Sequence, residues 1–375
     1  MSHPIMLYLF VGLASCLGTL LLVPVFRWLA RRLDVVDRPG HERKVHRRVV
    51  PYLGGLPFYF SFLGVILAIE LFFPEYSRRV YFPLCVGGTV VVLMGLYDDV
   101  ADMSSLKKLL IELALGVVLF LWGVGTAALA HPLGGTIDIG WLAIVVTPLW
   151  IAGVINAVNF SDGLDGLAAG LVFICAASLF AIAYRGEQVI ACIFMAYLMG
   201  ATLGFLPYNF NPASVFMGDT GALFLGFVLA TTTMIEEQKG VAVVALVVPM
   251  VVMAVPILDT VLSFGRRLLR ARRGGFFLPD RNHLHHRLLD LGLTQRQVVL
   301  SLYYISFCMG LMAFILSVVP AQYGFLILVL AAMAILFGVI VLRFVEGLSV
   351  TYPEEDAGNG LQADNLPDKP GPPPS

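Results

Sequence analysis

Charge is what this sequence has least of. Asp, Glu, Lys and Arg make up 13% of its 375 residues, against 59% hydrophobic residues, and its mean hydropathy is +0.87, where a soluble domain carries about 25% charged residues. So much apolar surface has no place facing water, so a soluble globule is excluded and the surplus must face lipid. A basic excess is lacking too: 24 Lys and Arg stand against 25 Asp and Glu, so net charge offers no footprint for a nucleic-acid partner. Cysteine is scarce, and Cys16, Cys85, Cys175, Cys192 and Cys308 all lie inside apolar stretches without paired spacing. Neither a disulfide framework nor a thiolate metal site is indicated. No repeat of fixed period runs through the chain. No Lys or Arg precedes the first apolar segment, whereas Arg27, Arg31 and Arg32 follow it; this reverses signal-peptide polarity, so the segment is expected to remain as a helix.

What is present is a series of apolar runs bounded by charge, Pro or Gly, near 5–29, 53–73, 80–97, 109–130, 141–160, 164–184, 189–207, 221–235, 241–264, 298–319 and 325–344. At about 20 apolar residues per crossing they predict an all-α, polytopic transmembrane helix bundle of about eleven spans. With the first helix running inward, nearly all basic residues fall on the inner side and only Arg78, Arg79, Arg185 and Lys239 on the outer. The positive-inside rule then sets the N-terminus outside and the C-terminus in the cytoplasm. Residues 1–350 are expected to form one multi-span catalytic domain. Residues 351–375, rich in Pro, Gly and acidic side chains, have too little apolar surface to offset ordering entropy and read as a disordered tail.

In that orientation every unusual polar cluster lies on the cytoplasmic side. Asp98, Asp99 and Asp102 follow the third run, where helical spacing would put Asp98 and Asp102 on one face with Asp99 beside them. Carboxylates so close repel unless a divalent cation or a basic partner neutralises them, and hard oxygen ligands suit Mg²⁺, or Mn²⁺, held with substrate phosphates. The triplet reads equally as a solvated helix end paired with Lys107 and Lys108. Asn156, Asn159, Asp162 and Asp165 recur at every third position across the end of one span and the start of the next, which no lipid-facing helix requires. Capping accounts for one or two of them, with Asp162 at the start of the following helix. Asp219 stands between Gly218 and Thr220 ahead of a short apolar run, as a helix cap or as a ligand. Arg281, His283, His285 and His286 form a segment suited to an anion such as pyrophosphate; a transition-metal site is the rival chemistry. Lys44 and His46 lie in a basic loop that topology alone would demand.

Taken together, these residues resemble the polyprenyl-phosphate N-acetylhexosamine-1-phosphate transferase family. The resemblance rests on five ordered motifs: Asp37-Arg38-Pro39 with Arg43-Lys44-Val45-His46 and Gly54-Gly55; Asp98-Asp99-Val100-Ala101-Asp102; Asn156 to Leu167; Phe216 to Gly221; and Asp280 to His286. The last is closer to the bacterial undecaprenyl-phosphate GlcNAc-1-phosphate transferases than to the phospho-N-acetylmuramoyl-pentapeptide transferase of peptidoglycan synthesis.

The resemblance implies a Mg²⁺-dependent enzyme that couples a UDP-N-acetylhexosamine to a polyprenyl phosphate, releases UMP and starts a cell-surface polysaccharide such as O-antigen or a teichoic acid linkage unit. It implies Asp219 and Asn159 as metal ligands, and Asp98, Asp99, Asp162 and His283 as catalytic residues. Lys44, His46, Asn156, Asp165, Arg281, His285 and His286 would meet substrate, with Asp165 toward the uridine. The implied setting is the bacterial inner membrane with a cytoplasmic active site and no nucleic-acid partner, and a homodimer is compatible with it. Pro249 and Pro256 are expected to bend the ninth span and open a groove for the polyprenyl chain. The peptidoglycan enzyme and, in another class, a lipid or ion transporter remain the alternatives. A transporter should carry ionisable groups inside its spans, whereas Glu70, Glu112 and Asp259 fall near helix ends by these boundaries.

Overall fold

The computed structural model describes residues 3–37, 50–72, 78–125, 128–130, 136–235, 247–254 and 288–319, together with 257, 323, 329 and 333. The chain divides into two units, Met1–Ile327 and Leu328–Ser375, and every element below belongs to the first. Its helices are α1 (His3–Arg32), α2 (Leu56–Phe72), α3 (Arg78–Ala101), α4 (Ser105–Leu121), α5 (Ala143–Ser161), α6 (Leu167–Arg185), α7 (Val189–Asn209), α8 (Gly218–Ile235), α9 (Val247–Val252) and α10 (Gln295–Val318). Eight described helices are long and apolar enough to cross a membrane, so the chain is an all-α polytopic bundle. Two antiparallel ribbons interrupt it, β1 (Val36–Asp37) with β2 (Val50–Pro51) and β3 (Ala128–Ala130) with β4 (Thr136–Asp138).

One predicted span needs correction. The run 109–130 is not a single helix: α4 starts at Ser105 and stops at Leu121, and 128–130 form strand β3. Gly123, at φ +87, takes the left-handed conformation that ends helices, and the amides of Trp122 and Val124 both fold back onto the Leu119 carbonyl. Hydropathy does not register such a stop, because it carries no information on the backbone dihedral at Gly123. The eleventh span, the tail and the bend expected at Pro256 lie outside the described residues.

Among apolar helices in lipid, close packing and polar contacts hold the bundle, since burial against a neighbour gains little over burial against acyl chains. The outer helix α1 shows this. Leu7, Val11, Ser15, Thr19 and Val23 are buried at near-helical spacing while Met6, Leu13 and Leu21 are exposed, and Thr19 shares a 3.1 Å hydrogen bond with Ser61 on α2. The inner helix is α8, buried at every position from 220 to 232. Around it Phe62, Phe194, Tyr197 and Phe224 make edge and stacked ring contacts, and Trp150 of α5 donates to Thr233 at 3.0 Å. At the far side α10 starts with a capping box of Thr294 and Gln297. It packs on α6 through Leu164, Leu167, Leu171, Val298, Val299 and Leu302. The C-terminal ends of α3 and α5 and the N-terminal ends of α4 and α8 meet at one end of this bundle.

Candidate active site

The site is built from those four helix ends. Asp98 and Asp99 close α3, and the turn that follows removes Asp102 from them. Asp102 sits at φ +51, beyond the last helical residue, and its side chain is exposed, so the expectation of three carboxylates on one face is corrected: Asp102 leaves the group, and Asp98 and Asp99 go to different partners. The Asp98 carbonyl accepts the Asp102 amide at 3.1 Å and its side chain accepts the Met103 amide at 2.6 Å.

Asp99 turns the other way, onto the first turn of α8. Its carboxylate accepts the Asp219 amide at 2.8 Å, the Thr220 amide at 3.1 Å and the Thr220 hydroxyl at 2.6 Å. The orphan donors of a helix start are thus satisfied by a carboxylate from another helix, where the helix dipole also favours negative charge. Two glycines make the approach possible. A side-chain carbon at Gly95 would stand 2.6 Å from the Thr220 backbone, and one at Gly218, which is at φ +63, would stand 2.6 Å from the Asp99 carboxylate. Held in this way, Asp219 points back across the gap. Lys108 of α4 donates to Asp98 at 2.7 Å and to Asp219 at 2.6 Å, so one ammonium joins the end of α3 to the start of α8.

The polar row of α5 enters from the opposite wall. Asn156 donates to the Ala152 carbonyl at 2.8 Å and to the Glu112 carboxylate, and Asn159 is half-buried near the helix end. Asp162 is the residue that ends α5, at φ −82 and ψ 45, while Gly166 starts α6. Asp162 is therefore not the N-terminal cap of the next helix. Its carboxyl is pushed up to about 8 by burial and then by the charges of Asp219, Asp99 and Asp165, which places four acids around one cleft. Asp165 accepts from Asn211 and from the Ala213 amide, each at 3.0 Å, and so fastens the α7–α8 loop. Asn209 carries the same tie onward, accepting the Gly166 amide at 3.1 Å and donating to the Val215 carbonyl at 3.0 Å.

The structure thus gathers Asp98, Asp99, Asp162 and Asp219 at one cleft, with Asn156, Asn159 and Asp165 on the helix end that borders it. Lys44, His46, Arg281, His283, His285 and His286 lie outside the described residues. Three residues went unnamed as site members in the sequence. Lys108 stood only as an ion-pair partner of the acids. Tyr52, within the Pro51 to Gly55 motif, is half-buried, and its phenol is held well above its ordinary range by burial, then by Asp37, Asp99 and Asp162. Glu112 was placed near a helix end but lies in the middle of α4, 0% exposed. The available signal was the helical step from Lys108 to Glu112, which puts both on the cleft side of α4.

Among the described residues, no three His, Cys, Asp or Glu side chains converge as a closed metal site. The donor set nevertheless fits a hard divalent cation of the Mg²⁺ kind, which keeps several waters and takes one or two carboxylates together with substrate phosphates. Asp219 and Asp98 already accept a single cationic group between them, as two carboxylates on a shared cation would.

Residues 81–237, from α3 to just past α8, match the model of glycosyl transferase family 4. The chain is 35% identical over 306 residues to the Bacillus subtilis protein "Probable undecaprenyl-phosphate N-acetylglucosaminyl 1-phosphate transferase", covering 81% of this chain and 84% of the relative. It is 37% identical over 321 residues to the decaprenyl-phosphate N-acetylglucosaminephosphotransferase of Mycobacterium tuberculosis, covering 78% of each. With the undecaprenyl-phosphate alpha-N-acetylglucosaminyl 1-phosphate transferase of Escherichia coli the identity is 28% over 277 residues, or 72% of this chain and 73% of the relative.

Proposed function

The chain belongs to glycosyl transferase family 4, in the branch of polyprenyl-phosphate GlcNAc-1-phosphate transferases, and from this premise we propose that its donor is UDP-N-acetylglucosamine and its acceptor undecaprenyl phosphate. The products are UMP and undecaprenyl-diphosphate-linked N-acetylglucosamine, the starting lipid of a cell-surface polysaccharide. The reaction takes place on the cytoplasmic side of the inner membrane. The carrying observation is the junction of Lys108 with Asp98 and Asp219, supported by the Asp99 clamp on the start of α8.

An oxygen of the lipid phosphate attacks the sugar-linked phosphorus, the bond from that phosphorus to the bridging oxygen breaks, and UMP leaves with the electron pair. Transfer of this kind needs charge neutralisation and in-line placement more than covalent help from the protein. Asp219 and Asn159 would hold Mg²⁺ where the donor pyrophosphate lies. When bound, the cation neutralises phosphate charge that would otherwise repel the incoming lipid phosphate. Lys108 supplies a second positive charge from the α4 side. Asp98 orients the lipid phosphate and takes its proton when one is present; because the second pKa of such a monoester is about 6, the base matters less than in activating an alcohol. Asp99 keeps Asp219 on station.

The full chain in detergent, given undecaprenyl phosphate, Mg²⁺ and a panel of UDP-sugars, is expected to release UMP fastest with UDP-N-acetylglucosamine. No UMP from any donor would overturn the reading. Labelled sugar phosphate trapped on the protein without lipid acceptor would replace direct attack by a covalent aspartyl intermediate.

A further inference from the structure

Glu112 is an acid of the site neighbourhood to which the mechanism above gives no role. It lies mid-helix on α4, 0% exposed, where an ionisable group is costly and rarely kept without use. One carboxylate oxygen accepts from the Asn156 amide across the α4–α5 contact. Among the described residues the other, Oε1, is buried with no hydrogen-bond partner, an arrangement that costs free energy unless something takes up the oxygen. One helical turn before it stands Lys108, and residues four apart on a helix are near enough to pair. Lys108 and Asp219 are both close enough for their charges to act on the Glu112 carboxyl.

Lys108 now spends its ammonium on Asp98 and Asp219. A divalent cation drawn to Asp219 would repel that ammonium, leaving it Asp98 and any further acceptor within reach of its flexible stem. We propose that Glu112 is a positioning residue of the transfer site: one oxygen locks the Asn156 amide, and the other receives Lys108 when a divalent cation takes its place at Asp219. The exchange keeps a positive charge beside the phosphates instead of expelling it into the cleft. It rests on the metal reading given above, and the experiment separates the two.

Mn²⁺ binding to the full chain in detergent, without substrates, is measured by the paramagnetic resonance of free Mn²⁺. Glu112→Gln still offers Asn156 a carbonyl but gives Lys108 no anion, and is expected to weaken Mn²⁺ by about tenfold while its metal-free unfolding midpoint stays near that of the parent. In a Lys108→Gln background the same change is expected to shift the affinity by no more than about twofold, as coupled residues require. Glu112→Asp, which keeps the charge, should lose less than Glu112→Gln. Undiminished Mn²⁺ affinity in Glu112→Gln, or the same loss with and without Lys108, overturns the role of Glu112. If Asp219→Asn abolishes Mn²⁺ binding while Glu112→Gln does not weaken it, only this proposal fails. If Asp219→Asn leaves binding intact, the metal reading falls and this proposal with it.

Discussion

Asp98 and Asp99 are adjacent in the chain and do different work, because successive helical side chains point about 100° apart. Asp99 is consumed by the first turn of α8, so Asp99→Ala strands buried donors and is expected to cost on the order of 2 kcal/mol of stability, with activity lost alongside. Asp98→Ala frees one side of Lys108, and should reduce turnover while moving the thermal midpoint far less. Equal midpoints for the two variants would show that the clamp is not structural. Asp219→Asn keeps the shape of the side chain and is expected to abolish UMP release with a midpoint close to the parent; full turnover would remove the metal from this position. Asp162 gives a pH dependence. Its carboxyl holds a proton up to about 8 in the fold, whereas in the unfolded chain it ionises near 4. The resulting penalty on the native state is absent below that lower range, grows as pH rises through it and is complete above about 8. In chelator, Asp162→Asn should therefore unfold at a higher temperature than the parent at pH 8, with the gap closing toward pH 4. A gap independent of pH would refute the shift.

At the scale of elements, what the sequence displayed well was periodic and what it hid was angular. Apolar runs located α1, α2, α3, α5, α6, α7, α8 and α10 to within a few residues, since length and hydropathy alone define a membrane helix. The fourth run misses its stop at Gly123, and the capping alternative for Asp162 points to the next helix where the structure has the end of α5, because each rests on one backbone dihedral. The acids Asp98, Asp99, Asp162 and Asp219 are legible because topology asks for basic residues beside the spans and gives no reason for carboxylates there. Lys108 and Glu112 were not: a lysine at a helix start satisfies topology, and the burial of a glutamate depends on which way the helix is turned. The approach of α3 to α8 was equally invisible, resting on Gly95 as a point of backbone contact. Gly95→Ala adds a carbon where the Thr220 backbone already lies 2.6 Å away, an overpacking of about 1–3 kcal/mol. It should separate Asp99 from Asp219 and lower turnover more than it lowers folded yield; unaltered turnover would show that the helices can slide apart without harm.

For the whole molecule, the division between exposed apolar walls and one acidic end matches the two substrates. Leu13 and Leu21 are among the exposed apolar side chains, and the proposed reaction takes one substrate from the bilayer and the other from water. In inside-out vesicles UMP release should proceed with external donor, and sealed right-side-out vesicles should be silent until opened; the reverse pattern would invert the assigned orientation. The central helix has a further consequence. α8 is the least apolar of the eight candidate spans and the most enclosed, so the bilayer offers it little and its neighbours offer it nearly everything. During synthesis, α3, α5 and α7 emerge before it, with Asp99 waiting for the amides of Asp219 and Thr220. Asp219 is thus expected to reach the membrane on a helix that enters only when its seat has been prepared. A segment holding α8 alone should fail to integrate in a translocation assay, one running from 78 to 235 should integrate it, and efficient integration of the isolated helix would contradict this order of assembly.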